Sequence, residues 1–140
     1  MISEAEQLLL ELQRATHATL RVLAARLTDE NLSPSEINVL ANLADGQFRS
    51  VGELAADAGV KPTTLTSILD RLGKRGYLAR ELDLGDRRSF MVHLTPEGAK
   101  AAQRASAAMA DIVNVAAGSV TDADVAGFRK VVRALTETAR

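Results

Sequence analysis

The chain has 140 residues, of which 46% are apolar and 25% are charged, as in an ordinary soluble globular domain. It contains no cysteine, which excludes a thiol nucleophile, a thiol redox switch and a cysteine-ligated metal site. A chain of this length can bury enough surface to fold without a disulfide or a metal. Its acidic first residues and its lack of an apolar run long enough to span a bilayer predict a cytoplasmic protein with no membrane partner.

The formal net charge is only −1, but the charges are distributed unevenly along the chain. Residues 1–60 hold four basic and nine acidic groups, whereas residues 61–88 hold seven basic and four acidic groups. The first segment therefore carries −5 and the second +3. A short basic segment within an acidic chain predicts a local phosphate-binding surface.

Apolar residues at helical spacing, together with serine caps and prolines, predict four helices in the first half of the chain. We expect them from Glu4 to about Leu27, from Ser33 to near Asp45, from Ser50 through Ala58, and from Pro62 to Gly76. The leucines of the first helix have two interpretations, because they can pack on the chain's own core or against a partner.

The apolar period changes from helical to alternating after Gly76. Phe90, Val92 and Leu94 alternate with less apolar neighbours and predict a strand, and residues 77–82 are its predicted partner in a hairpin. Two capped helices follow in the prediction, the first running from Thr95 to about Ala117 and the second beginning at Thr121.

Residues 54–72 have the pattern of a helix-turn-helix. Small and apolar residues allow its two helices to cross closely, and Gly59 suits the sharp turn between them. The second helix exposes hydroxyls and cations that can meet base edges and phosphates in a major groove. These residues are Thr63, Thr64, Ser67, Arg71 and Lys74.

This segment, the turn Asp83-x-x-Asp86-Arg87-Arg88 and the exit Leu94-Thr95-Pro96-Glu97-Gly98 together resemble the MarR family of transcription regulators. The resemblance implies a mainly α fold with a small β-hairpin wing: a winged helix-turn-helix of six helices in an intertwined homodimer. It assigns residues 33–95 to DNA binding, and residues 1–32 and 96–140 to dimerisation. Leu84 stands where many wings of the family have proline, which leaves the turn less rigid.

The resemblance also implies roles for individual residues. Thr63, Thr64, Thr66 and Ser67 match the base-reading part of the recognition helix. Arg87 matches the wing arginine that enters the minor groove, with Asp86 and Arg88 as its ion-pair and phosphate partners. The implied partners are double-stranded DNA, a second copy of the chain and a small anionic or phenolic effector.

Each of these residues also has an ordinary structural interpretation. The wing arginines can be solvated loop charges, and the threonines can simply begin a helix. Ser50 is predicted first as a helix cap, a role compatible with a phosphate contact. His17 and Arg21 can form a plain surface pair or line an effector pocket with Asn38 and Met109 as walls.

The leading hypothesis is a dimeric repressor that binds a pseudo-palindromic operator and is released by an effector. The alternative is a winged-helix module that binds a protein partner through the same face. An enzyme is disfavoured because the sequence has no glycine-rich phosphate loop, serine elbow or metal-spaced histidines. We predict neither a cofactor nor a metal.

Overall fold

The structure, a computed structural model, describes residues 3–83 and 85–139, without the side chains of Asp83 and residues 86–89. The described part contains six α-helices and a three-stranded antiparallel sheet. The helices are α1 Glu4–Arg26, α2 Pro34–Asn42, α3 Val51–Ala58, α4 Pro62–Lys74, α5 Pro96–Ala117 and α6 Asp122–Thr138. The strands are β1 Arg49–Ser50, β2 Leu78–Asp83 and β3 Asp86–Leu94. This arrangement confirms the predicted mainly α fold with six helices and a small β-hairpin wing.

Reciprocal side-chain caps begin α2, α3 and α6 at the residues predicted from sequence. In α2, for example, the Ser33 Oγ accepts from the Glu36 backbone N–H, and the Glu36 carboxylate accepts from the Ser33 N–H. Helix α2 ends at Asn42, earlier than predicted, because the chain turns through Leu43 into Gly46, which has φ +76°. A single 3₁₀ turn, Thr28–Glu30, was not predicted and connects α1 to α2.

Helices α3 and α4 form the predicted helix-turn-helix. Gly59 ends α3 with φ +68°, a left-handed conformation that glycine adopts without steric cost. The Val60 backbone N–H then donates to the Ala55 carbonyl at 3.1 Å and closes the turn. Leu54 of α3 and Leu65 of α4 are fully buried, so the two helices share one apolar core.

The sheet has the strand order β1-β3-β2. Strands β2 and β3 form the predicted hairpin, in which Leu78 pairs with Leu94 and Leu82 with Phe90. Strand β1 was not predicted: Arg49 pairs with Val92 and joins the start of α3 to the hairpin. Strand β3 thus connects the wing directly to the helix-turn-helix.

The hairpin is attached closely to the first turn of α5. The Thr95 hydroxyl donates to the Gly76 carbonyl at 2.5 Å and accepts from the Gly98 backbone N–H at 3.1 Å. A Cβ atom on Gly98 would lie 1.9 Å from the Tyr77 carbonyl oxygen, so only glycine fits this contact. The motif Leu94-Thr95-Pro96-Glu97-Gly98 therefore has a clear packing role.

The chain divides into two compact units, residues 1–109 and 110–140. The described part of the first unit contains the sheet and a buried aliphatic core that includes Ile37, Leu40 and Leu43. Most side chains of residues 110–139 are exposed, among them Val115 and Phe128. None of the described helices combines the length and apolar character that crossing a membrane requires.

Candidate nucleic-acid interface

Helix α4 buries one stripe and exposes the opposite face. Leu65, Ile68, Leu69 and Leu72 are buried. The predicted base-reading residues Thr63, Thr64, Thr66 and Ser67 are all exposed. The Thr66 hydroxyl donates to the Pro62 carbonyl at 2.9 Å and retains acceptor capacity for an outside donor.

The N-terminus of α4 differs from those of α1, α2, α3 and α6, each of which has a side-chain cap. Lys61 occupies the N-cap position of α4 and makes no side-chain capping bond. The first backbone N–H groups of α4 therefore have no cap and carry the positive end of the helix dipole. A phosphate oxygen could satisfy them.

The C-terminal half of α4 carries the predicted cations Arg71 and Lys74, and both are exposed. The Arg71 Nε lies 3.9 Å from a carboxylate oxygen of Glu36, whose side chain is only 10% exposed. This contact turns part of Arg71 toward α2, while 54% of its side chain stays accessible. Arg71 therefore has a structural partner that was not predicted from sequence.

Ser50 begins α3 as the predicted cap. Its Oγ accepts from the Glu53 backbone N–H at 3.1 Å, and the Glu53 carboxylate accepts from the Ser50 N–H. Ser50 also pairs with Met91 in the sheet. The capping role is confirmed, and the phosphate contact at Ser50 stays a prediction.

The wing hairpin packs beside α4, and an ion pair links the two elements. The Arg80 guanidinium of β2 donates to the Asp70 carboxylate of α4 at 2.7 Å. Sequence reasoning did not find this pair, because no local spacing relates the two residues. The side chains of Asp86, Arg87 and Arg88 lie outside the described residues, so their DNA contacts stay predictions.

At the base of the wing, His93 stacks on Phe48 with ring centroids 4.2 Å apart. Its Nε2 lies 3.3 Å from a carboxylate oxygen of Glu81 without a hydrogen bond between them. These contacts join the loop before β1 to the hairpin. In the described part of the chain, no three His, Cys, Asp or Glu side chains are grouped to hold a metal ion.

The predicted effector residues are only partly brought together. His17 and Arg21 line an open depression of about 430 Å³ whose other lining residues are Arg14, Leu20 and Pro34. The Asn38 side chain instead donates to the Ala58 carbonyl at 3.0 Å, and Met109 lies half-buried in α5. Sequence reasoning missed Arg14, although it lies three residues before His17 and seven before Arg21, on one face of α1.

A helix-turn-helix followed by a β-hairpin defines a winged helix-turn-helix protein. The MarR family model matches residues 32–90. The HTH-type transcriptional repressor MdtR of Bacillus subtilis (strain 168) is 29% identical over 101 residues, which cover 69% of this chain and 65% of that protein. The chain spans less than two thirds of the length of the curated relatives it matches.

Two solved structures share the whole fold. A MarR-family transcriptional regulator from Silicibacter pomeroyi superposes with a TM-score of 0.85 at 25% identity, covering 97% of this chain and 92% of that one. NadR in complex with 4-hydroxyphenylacetate superposes with a TM-score of 0.82 at 20% identity, covering 96% and 93%. Residues 32–90 of the chain thus match the MarR family, and the chain shares the fold of a MarR-family regulator. The match to this family of transcriptional regulators supports the prediction that the chain is not an enzyme.

Proposed function

We propose that the protein is a homodimeric transcriptional repressor that binds a pseudo-palindromic site in double-stranded DNA. The observation that carries this proposal is the exposed face of α4, which combines an uncapped N-terminus, four hydroxyl side chains and two cations. Hydroxyls and cations in this order suit a helix that contacts base edges at its start and phosphates further along. MdtR is itself named a repressor. A cytoplasmic location, with access to DNA, is part of the proposal.

Dimerisation through residues 1–32 and 96–140 is supported by apolar side chains that each unit leaves exposed. Leu8 and Leu9 of α1 are 56% and 45% exposed, and Phe128 of α6 is 58% exposed. Soluble monomers rarely expose large contiguous apolar surfaces, so a second copy is the expected cover. A twofold axis would place two recognition helices in successive major grooves about 34 Å apart.

An effector of aromatic carboxylate or phenolic type is proposed for the depression beside α1. Arg14, His17 and Arg21 supply donors for an anion, and Leu20 and Pro34 supply apolar surface for a ring. The 4-hydroxyphenylacetate bound to NadR has this chemistry. Asn38 and Met109 remain proposed as further walls. Such a ligand would release DNA by binding better to a conformation that does not fit the operator.

The DNA proposal is tested by selecting genomic fragments with the purified protein at two salt concentrations. Enrichment of one pseudo-palindrome, with affinity that falls steeply as salt rises, is the expected result. Arg87→Ala should weaken binding and lower the slope of log affinity against log salt by about one phosphate contact. Lys100→Ala is the matched control, because Lys100 is exposed on α5 and pairs with Glu97 of its own helix.

The opposite outcome is equally informative. A protein that enriches no DNA at either salt would contradict the proposal and favour the winged-helix module that binds a protein partner. Enrichment of a palindrome that Arg87→Ala binds as tightly as the unaltered protein would keep DNA binding but refute the wing assignment.

The effector proposal is tested by titrating 4-hydroxyphenylacetate and its uncharged amide, 4-hydroxyphenylacetamide, against the protein. The acid should bind more tightly than the amide, and Arg14→Gln together with Arg21→Gln should remove that difference. Equal binding of acid and amide to the unaltered protein would contradict an anion site beside α1.

A further inference from the structure

Arg75 follows the last residue of α4, and its side chain is bonded to other parts of the protein. Its Nη1 donates to the Asn31 carbonyl at 2.9 Å, and its Nη2 donates to the Glu30 carbonyl. The guanidinium also lies 5.0 Å from the centre of the Tyr77 ring and donates to the Tyr77 hydroxyl at 3.3 Å. Backbone carbonyls and an aromatic ring therefore hold the Arg75 guanidinium, although Arg75 is exposed like the adjacent Lys74.

The carbonyls that hold Arg75 belong to the connection between α1 and α2. The 3₁₀ turn Thr28–Glu30 ends at Asn31, which is left-handed with φ +51°. This turn presents the carbonyls of Glu30 and Asn31 side by side to one guanidinium, a planar group that can donate to both at once.

Glu30 extends the network to α5 through its side chain. The Glu30 carboxylate accepts a hydrogen bond from the Arg104 Nη2 of α5 at 3.0 Å and forms an ion pair with the Arg104 Nε. Only 18% of the Glu30 side chain is exposed, so water screens this pair less than an ordinary surface pair. The hydrogen bond from Arg104 to Glu30 also raises the pKa of the Arg104 guanidinium.

Arg75, Glu30 and Arg104 thus join the end of the recognition helix to the turn that follows α1 and to α5, both within the segments that the proposed function assigns to dimerisation. We propose that Arg75 is a positioning residue, which sets the angle of α4 relative to α1 and α5 and so selects the spacing of the operator half-sites. This inference rests on the proposed DNA-binding function.

The geometry makes DNA binding sensitive to this angle. Helix α4 has 13 residues and is about 20 Å long, with Arg75 beyond one end and the base-reading threonines near the other. A rotation of about 5° at the Arg75 end would move the threonines, which lie about 13–18 Å away along the helix, by roughly 1.2–1.6 Å, which exceeds the tolerance of a hydrogen bond. A loosely held α4 would therefore bind the correct spacing less well and would discriminate less between spacings.

The experiment compares Arg75→Ala with Lys74→Ala, two neighbouring cations at the end of one helix. Each variant is measured on the selected operator, on operators with one base pair inserted or deleted between half-sites, and over a range of salt. Arg75→Ala should bind the selected operator about tenfold more weakly and discriminate less between spacings, with an unchanged salt slope. Lys74→Ala should lower affinity for every spacing alike and reduce the salt slope by about one phosphate contact.

The inference is overturned if Arg75→Ala lowers the salt slope and keeps the spacing preference, because Arg75 would then be a phosphate contact. It is also overturned if Arg75→Ala changes neither quantity. Glu30→Gln and Arg104→Gln leave the Arg75 hydrogen bonds to carbonyls in place and should weaken spacing discrimination to a smaller extent. If Arg75→Ala does not fold, these two variants test the inference. Unchanged discrimination between operator spacings in both variants would refute it.

Failure of the proposed function gives a different result. In that case the unaltered protein would bind no operator, and its affinity would be equally weak for all spacings. If the unaltered protein binds a palindrome tightly and the variants discriminate between spacings equally well, the proposed function is retained and only the positioning role is refuted.

Discussion

Gly98→Ala tests the close contact between the hairpin and α5. A Cβ at this position would lie 1.9 Å from the Tyr77 carbonyl oxygen and 2.8 Å from the Tyr77 carbonyl carbon. Both partners are backbone atoms, so no flexible side chain can move aside. The substitution must displace the first turn of α5 from the start of β2 by more than about 1 Å, given ordinary carbon–oxygen contact distances.

The expected loss of stability combines three effects. Overpacking of this kind costs about 3 kcal/mol, at the upper end of the usual range. The capping bond from the Gly98 N–H to the Thr95 hydroxyl would be disturbed, at about 1 kcal/mol, whereas alanine gains at most about 1 kcal/mol in helix propensity. The net loss is about 3 kcal/mol. For 140 residues this corresponds to a decrease in Tm of about 10 °C.

Thermal unfolding followed by circular dichroism, at one protein concentration for all variants, measures this decrease. Gly73→Ala is the matched control, because Gly73 also lies in a helix but its Cβ would meet nothing within 4 Å. The control should keep or raise the Tm by up to about 3 °C. A Gly98→Ala protein that melts together with the control would refute the close contact.

Three further changes test other parts of the molecule. Thr95→Val removes the hydroxyl that caps α5 and should lower the free energy of unfolding by about 1–2 kcal/mol in chemical denaturation, whereas Thr136→Val, at an exposed hydroxyl within α6, should have little effect. Asp124→Asn tests the dependence of stability on pH. The hydrogen bond from the Thr121 backbone N–H lowers the pKa of the Asp124 carboxyl below its ordinary 3.8. The stabilisation that the ionised carboxylate contributes to the fold is therefore fully present above pH 3.8 and is lost as the pH falls through the lowered pKa. The asparagine variant should therefore lose less stability between neutral and acid pH, and an unchanged pH profile would contradict this origin. Phe128→Asp should weaken self-association in sedimentation experiments, whereas Leu82→Asp, equally exposed on the hairpin, should not. A Phe128→Asp protein that stays dimeric would place the interface elsewhere.

Local signals explain why most of the fold could be predicted from the sequence. Ser33, Ser50 and Thr121 each cap a helix through a partner only three residues away, so their sequence pattern contains the whole interaction. Strand β1 could not be found in this way. A strand of two residues is too short to show an alternating pattern of apolar residues. It forms because Arg49 pairs with Val92, which lies 43 positions later in the sequence.

The exposed face of α4 was predictable for the same reason, since a helical period separates Leu65 and Ile68 from Thr64 and Ser67. The long-range partners of its cations were not. Nothing near Arg71 in the sequence indicates its contact with Glu36, because α2 meets α4 only in the folded chain.

The two residues of β1 determine what part of this protein could be moved intact into another scaffold. Ser50 is at once the last residue of a strand that pairs with β3 and the cap of α3. A transplanted segment limited to α3 and α4 would lose both the cap and the sheet that aligns them. A self-consistent module for grafting therefore extends from Ser33 to Leu94. It includes the hairpin, and it includes α2 because Asn38 bonds to α3 and Glu36 contacts α4.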